Sequence, residues 1–162
     1  MTAPRTSQPT RTVGRYEILS EIASGGMATV YLARSRGADG FVRRCALKLL
    51  HTHLAKDAKF GDLFLDEARI ASGIHHPNVC QIYDFGRDTD GTAFIAMEHL
   101  EGMTLSQVLA ALFERYGEAW PSAAVARLAT IVAEAAEGLG AAHEAKDEEG
   151  RCTATSRRRT CS

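Results

Sequence analysis

Lys48 stands inside an otherwise apolar run, Cys45-Ala-Leu-Lys-Leu-Leu50. In a strand it shares a face with Ala46 and Leu50, where an unpaired ammonium costs several kcal/mol. It calls for a carboxylate, an anionic ligand, or both. Glu67 falls among Phe64, Ile70 and Ala71 on the stripe of the following helix and needs a counter-charge for the same reason. Each supplies what the other lacks, and a purely structural salt bridge would satisfy both. Upstream lies a turn of small residues, Ala23-Ser-Gly-Gly-Met-Ala28. Backbone N–H groups approach phosphate oxygens closely only where side chains are small, although a plain hairpin tip has the same composition. A dinucleotide-binding loop is excluded, because that motif runs from strand through turn to helix. Here the turn leads into Thr29-Val-Tyr-Leu-Ala33, a β-branched and aromatic strand.

The elements that must position these groups read as follows. Residues 1–14, rich in Thr, Pro, Arg and Ser, are expected to be disordered. Tyr16 to Ile22, with Tyr16, Ile18 and Ile22 in phase at period two, is a strand. Thr29 to Ala33 and Phe41 to Leu50 follow it as antiparallel partners around the turns 23–28 and 37–40. A helix comes next, with Phe60, Leu63, Phe64, Glu67, Ile70, Ala71 and Ile74 at helical spacing and Gly73 near its end. Beyond Pro77-Asn78, Val79 to Phe85 and Thr92 to Met97 are two further strands. Thr104-x-x-Gln107 has capping-box spacing ahead of a short helix, Leu105 to Phe113. A long amphipathic helix runs from about Ser122 to His143, its stripe being Val125, Leu128, Val132, Ala135 and Leu139. The fold class is α+β: a five-stranded antiparallel sheet with one helix, followed by the first helices of a helical part.

Composition narrows the function. The chain has 162 residues, 45% hydrophobic and 24% charged, with 19 Lys+Arg against 20 Asp+Glu. A net charge of −1 gives no general attraction to nucleic acid or to a membrane surface. The longest apolar run, Val108 to Phe113, is far short of the roughly 18–20 residues that span a bilayer. The N-terminus lacks the apolar stretch of a secretory signal. Cys45, Cys80, Cys152 and Cys161 show no CxxC pairing, so neither a disulfide framework nor a zinc site is expected, and a reducing cytoplasm is.

Taken together, these residues resemble the small lobe of a eukaryotic-like (Hanks-type) protein kinase of the bacterial serine/threonine type, from about Tyr16 to His143. The glycine-rich loop is Ala23-Ser-Gly-Gly-Met-Ala-Thr-Val30, the third-strand lysine motif is Cys45-Ala-Leu-Lys48, and the helix acid is Glu67 in Phe64-Leu-Asp-Glu-Ala. His76-Pro-Asn78, the segment Phe94-Ile-Ala-Met-Glu-His-Leu-Glu-Gly102 and Leu139-Gly-Ala-Ala-His143 match the following loop, the hinge and the first large-lobe helix. The resemblance implies ATP as ligand, magnesium with it in the full-length family, and phosphoryl transfer to protein serine or threonine hydroxyls. It implies that the backbone of Ser24, Gly25, Gly26, Met27, Ala28 and Thr29 covers the phosphates. Ile22, Val30 and Ala46 would sandwich the adenine, and Lys48 would hold the α- and β-phosphates while pairing with Glu67. Met97 would be the gatekeeper, with Glu98 and Leu100 offering backbone groups to the adenine edge. Ala23 and Ala28 replace the first and third glycines of G-x-G-x-x-G, which stiffens the loop and weakens nucleotide binding.

The likeness divides the chain into a disordered segment (1–14), a kinase N-lobe (15–101), a hinge exit with the start of the C-lobe (102–146) and a basic tail (147–162). Asp84-Phe85-Gly86 spells the family's metal-binding triplet but precedes the hinge, so Asp84 is expected to be a strand-end or turn residue. No catalytic base and no metal ligand can be placed. The tail Arg151 to Ser162 contains no Leu, Ile, Val, Phe or Met. Read one base out of frame, its codons permit L-H-R-D-V-S-P-Q-N-V-L, which resembles the catalytic loop H-R-D-x-x-x-x-N. A frameshift near Gly150–Cys152 is the expectation, with a chain inactive in transfer as written. A non-catalytic ATP-binding or kinase-regulating module is the alternative. In the family, later helices cover the long helix, so its stripe is expected to drive self-association or to fray after Gly102.

Overall fold

The computed structural model describes residues 11–36, 42–55 and 57–145. The chain divides into two units, residues 1–73 with 81–99 and residues 74–80 with 100–162. In the first, apolar and β-branched runs form β1 (Thr12–Val13), β2 (Tyr16–Ser24), β3 (Ala28–Arg36), β4 (Val42–Leu50), β5 (Ile82–Arg87) and β6 (Ala93–Met97). These make one antiparallel sheet of six strands in the order β1-β2-β3-β4-β6-β5. Two helices, α1 (Thr52–Ala55) and α2 (Ala58–Ser72), lie between β4 and β5 in the chain. The α+β class holds, with one strand more than expected.

That strand corrects the reading of residues 1–14. Gly14, at φ +53°, turns the chain back so that Val13 pairs with Tyr16 and Thr12 with Glu17. Val13 is only 2% exposed, and its burial beside Tyr16 orders a segment whose composition alone suggests disorder. Residues 1–10 lie outside the described residues, as do the turn at 37–40 and the tail from 146 onward, with the alternative-frame segment.

Period-two alternation sends β4 side chains into two cores. Cys45, Leu47 and Leu49 pack with Val13, Tyr16, Ala33, Phe94 and Ala96 on one side. On the other, Leu50 joins Ala28, Ala93 and Ile95 against Phe64 and Ala68 of α2. Asp57 starts α2 by accepting from the Lys59 N–H at 3.0 Å, and Gly73 caps its end. The buried line of α2 is Gly61, Phe64 and Ala68, whereas Phe60, Leu63 and Glu67 are exposed. The expected stripe was therefore rotated. Phe64 and Ala68 carry the contact with the sheet, and Gly61 is covered by the Arg87 guanidinium. In β2 the period also fails: register shifts between Ile18 and Ser20 and between Glu21 and Ala23 leave Ile22 49% exposed.

In the second unit, α3 (Leu105–Tyr116) begins at a complete capping box, Thr104 and Gln107 each bonding the other's backbone. It runs a turn-fraction further than Phe113, to Gly117 at φ +58°. The 23-residue helix α4 (Ser122–Glu144) matches the expected one. Asn78 donates from Nδ2 to the Glu134 carbonyl at 2.9 Å, and Gly138 is buried against it. Of the expected stripe, Val125, Val132, Ala135 and Leu139 are exposed and Leu128 is half-buried.

Candidate functional site

Strand register brings four of the expected residues to one face. Val30 pairs with Lys48, and Lys48 with Ile95; Leu32 pairs with Ala46, and Ala46 with Met97. Cross-strand partners project to the same side of a sheet, so Val30, Ala46, Lys48 and Met97 form a compact set on β3, β4 and β6. Ala23 pairs with Val30 across the hairpin, which joins the glycine turn to this set. Ile22 sits beyond the second register shift of β2 and is largely exposed.

Lys48 is half-buried, and its Nζ lies 5.5 Å from the centre of the Phe64 ring. A cation at that distance from an aromatic face gains about 0.5–1 kcal/mol. The expected Lys48–Glu67 ion pair is not among the ion pairs formed by the described residues. Glu67 stands one position off the Phe64–Ala68 line of α2 and faces solvent, so the ring takes the place over the ammonium that the resemblance gives to the carboxylate.

The turn itself is closed by the Gly25 N–H donating to the Ala28 carbonyl at 3.0 Å. Neither Gly25 nor Gly26 has a positive φ. A methyl group at Gly25 would come no nearer than 3.8 Å to the Ala28 carbonyl oxygen, and one at Gly26 would meet nothing within 4 Å. The fold does not require glycine at either place; a ligand approaching the backbone would. Sequence reasoning missed His51, whose Nε2 lies 3.0 Å from Thr29 Oγ1. The two are 22 positions apart in the chain, and no local pattern connects them.

At the other end of the set, the Glu98 N–H donates to the Gln81 carbonyl at 2.8 Å. Its amide is spent on the sheet. Leu100, in the second unit, is exposed.

Asp84 is occupied elsewhere. It lies within β5 rather than at its end, and accepts from the Tyr16 hydroxyl at 2.8 Å and from Arg15 Nη2 at 3.0 Å. Among the described residues no cluster of three or more His, Cys, Asp or Glu side chains could hold a metal ion.

Burial pushes the Tyr16 phenol up to about 12, and the hydrogen bond to Asp84 works in the same direction. An unfolded tyrosine titrates near about 10, so this contribution to stability is complete below that pH and is lost as pH rises through the folded value. In an ultraviolet titration of native protein, the step near pH 12 is expected to vanish in Tyr16→Phe. The same substitution should cost about 1 kcal/mol in urea denaturation. A Tyr16→Phe titration curve that keeps the high step would show that another tyrosine produces it.

Residues 16–145 match the model of the protein tyrosine and serine/threonine kinase family. The tyrosine-protein kinase MasK of Myxococcus xanthus is 39% identical over 137 residues, which span 85% of this chain and 20% of MasK. The serine/threonine-protein kinase PrkC of Bacillus subtilis is 45% identical over 101 residues, 62% of this chain and 15% of PrkC. The crystal structure of the Mycobacterium tuberculosis PknI kinase domain is similar with a TM-score of 0.63 at 28% identity, covering 86% of this chain and 53% of that one. The chain thus spans about a fifth of the length of MasK and about half of the solved kinase domain. Matched by the family model over residues 16–145, it belongs to the protein tyrosine and serine/threonine kinase family, and its relatives are bacterial kinases of the Hanks type.

Proposed function

We propose that the Val30, Ala46, Lys48 and Met97 face, with Ile22 and the Ala23–Thr29 turn, positions ATP. Full-length relatives would complete phosphoryl transfer to serine or threonine hydroxyls. The carrying observation is Lys48: a half-buried ammonium with an aromatic ring at its side and, among the described residues, no ion pair. An anionic phosphate supplies the missing charge. Val30 and Ala46 are apolar and small enough to accept a flat base, and Met97 borders them on β6. The Glu98 N–H is engaged by the Gln81 carbonyl, so the Glu98 amide is not the group proposed for the adenine edge. The ATP so bound is the cytoplasmic metabolite, which puts the described segment on the cytoplasmic side.

A thermal-shift titration tests this. With ATP at about ten times its Kd, wild-type protein is expected to melt about 3–6 °C higher. Lys48→Met fills the stem volume, removes the charge, and should abolish the shift. Equal shifts in the two proteins would sink the assignment. A radiolabelled ATP transfer assay separates an active kinase from a regulatory ATP-binding module, because both share this face.

The exposed apolar residues of α4 suggest one proposed partner, a second copy of this chain. Burying each Val or Leu is worth roughly 1.5–3 kcal/mol, and Val125, Val132 and Leu139 are all exposed. Sedimentation is expected to depend on concentration in wild type and not in the double variant Val132→Glu, Leu139→Glu. A wild type that stays monomeric at every concentration would refute the proposal.

A further inference from the structure

His51 follows β4 directly, three residues beyond Lys48, and touches the glycine turn twice. Its backbone N–H donates to the Met27 carbonyl at 3.0 Å. Its Nε2 and Thr29 Oγ1 are 3.0 Å apart, within hydrogen-bond distance in either direction. Thr29 is 8% exposed, a buried polar side chain whose hydroxyl lies a further 3.0 Å from Ser24 Oγ. Ser24 ends β2 and pairs with Thr29 at the start of β3, so the two hydroxyls bridge the stems of the turn. At its other end His51 is fixed by α1, its carbonyl accepting from the Leu54 and Ala55 N–H groups at 2.9 and 3.0 Å. The His53 ring stands 5.4 Å away, centroid to centroid.

The turn carries adjacent glycines, whose backbone is the most costly of any to order. Yet the hydroxyl pair and the Met27 carbonyl tie it to one imidazole-bearing residue directly after the strand that carries Lys48. We propose that His51 is a positioning residue for the glycine turn, holding it in register with the Lys48 strand through Thr29 and Ser24. Its value to the nucleotide rests on the reading that this turn covers the phosphates. The latch itself does not.

Hydrogen exchange on the full chain tests it, comparing wild type with Thr29→Val, His51→Ala and His51→Gln. Valine removes the hydroxyl at constant shape, and glutamine returns a polar group near the place of Nε2. Losing a hydrogen bond of this kind should speed exchange of the Gly25 amide about five-fold in Thr29→Val and in His51→Ala. The Leu47 amide, deep in β4, should keep its rate, and His51→Gln should restore Gly25. An unchanged Gly25 rate, an equal acceleration at Leu47, or no rescue by glutamine would overturn the proposal. ATP is the probe in a second arm. A thermal shift in wild type that is reduced in Thr29→Val supports service to the nucleotide, and an equal shift in both overturns it. If ATP shifts neither protein, the nucleotide reading falls while the exchange rates still decide the latch.

Discussion

Replacing Phe64 by alanine is expected to destabilise the protein by about 3–5 kcal/mol, a large part of the 5–15 kcal/mol of an ordinary domain. Phe64 is the largest side chain on the buried line of α2 and packs among Leu50, Ala93, Ile95 and Ala68. Its neighbours on that line are Gly61 and Ala68, too small to close over the cavity. The ring also flanks the Lys48 ammonium. The two roles separate by substitution. Phe64→Leu keeps most of the volume and should cost less than about 1.5 kcal/mol, while still removing the aromatic face from Lys48. Urea denaturation measures both. If Phe64→Ala cost no more than Phe64→Leu, the helix would not be held on the sheet through this side chain. A Phe64→Leu variant that keeps its ATP-dependent shift would show that the ring is a structural neighbour of Lys48 rather than part of what readies it for phosphate.

What the sequence disclosed follows the range of the forces involved. The capping box at Thr104 and Gln107 was legible because both partners lie within one turn of helix. The Lys48 strand was legible because a charge inside Cys45–Leu50 violates the local pattern, and that violation is itself the signal. Asp84 was expected at a strand end or turn, but it sits inside β5 with Arg15 and Tyr16 as partners, 69 and 68 positions away in the chain and so out of reach of any local pattern. Strand β1 was not legible. It depends on a turn at Gly14 whose N–H is held by Asp88, 74 positions away. The buried line of α2 was also misjudged, since Phe60 and Leu63 look more like core than Gly61 does. The sheet surface that receives Phe64 and Ala68 is built from strands on both sides of the helix in sequence. Glu67 went with that error: it was placed on the apolar stripe, and it is exposed.

Substituting Gly138 by valine is expected to cost about 2–3 kcal/mol. The neighbours of its missing side chain explain why. A Cβ at Gly138 would stand 2.8 Å from the Asn78 carbonyl oxygen and 3.3 Å from the Asn78 carbonyl carbon and Cβ. Two of these are backbone atoms, and Asn78 is fixed by its own bonds: Nδ2 to the Glu134 carbonyl at 2.9 Å and N–H to His76 Nδ1 at 3.1 Å. No rotamer change relieves the overlap, so α4 or the 74–80 loop must move. The gain in helix propensity on replacing glycine with valine, about half a kcal/mol, is too small to offset this. Gly61, the other buried helical glycine named here, supplies the contrast. Its added methyl would meet the Arg87 guanidinium at 2.6 Å, the far end of a flexible side chain. That group can swing away at the cost of its exposed ion pair with Asp62, worth about 0.2–1 kcal/mol. Alanine meanwhile gains about 1 kcal/mol in helix propensity. Gly61→Ala should therefore be near neutral or slightly stabilising, and Gly138→Val strongly destabilising, in the same urea titration. Equal losses in the two variants would mean that the close approach of Asn78 to α4 is not maintained in solution.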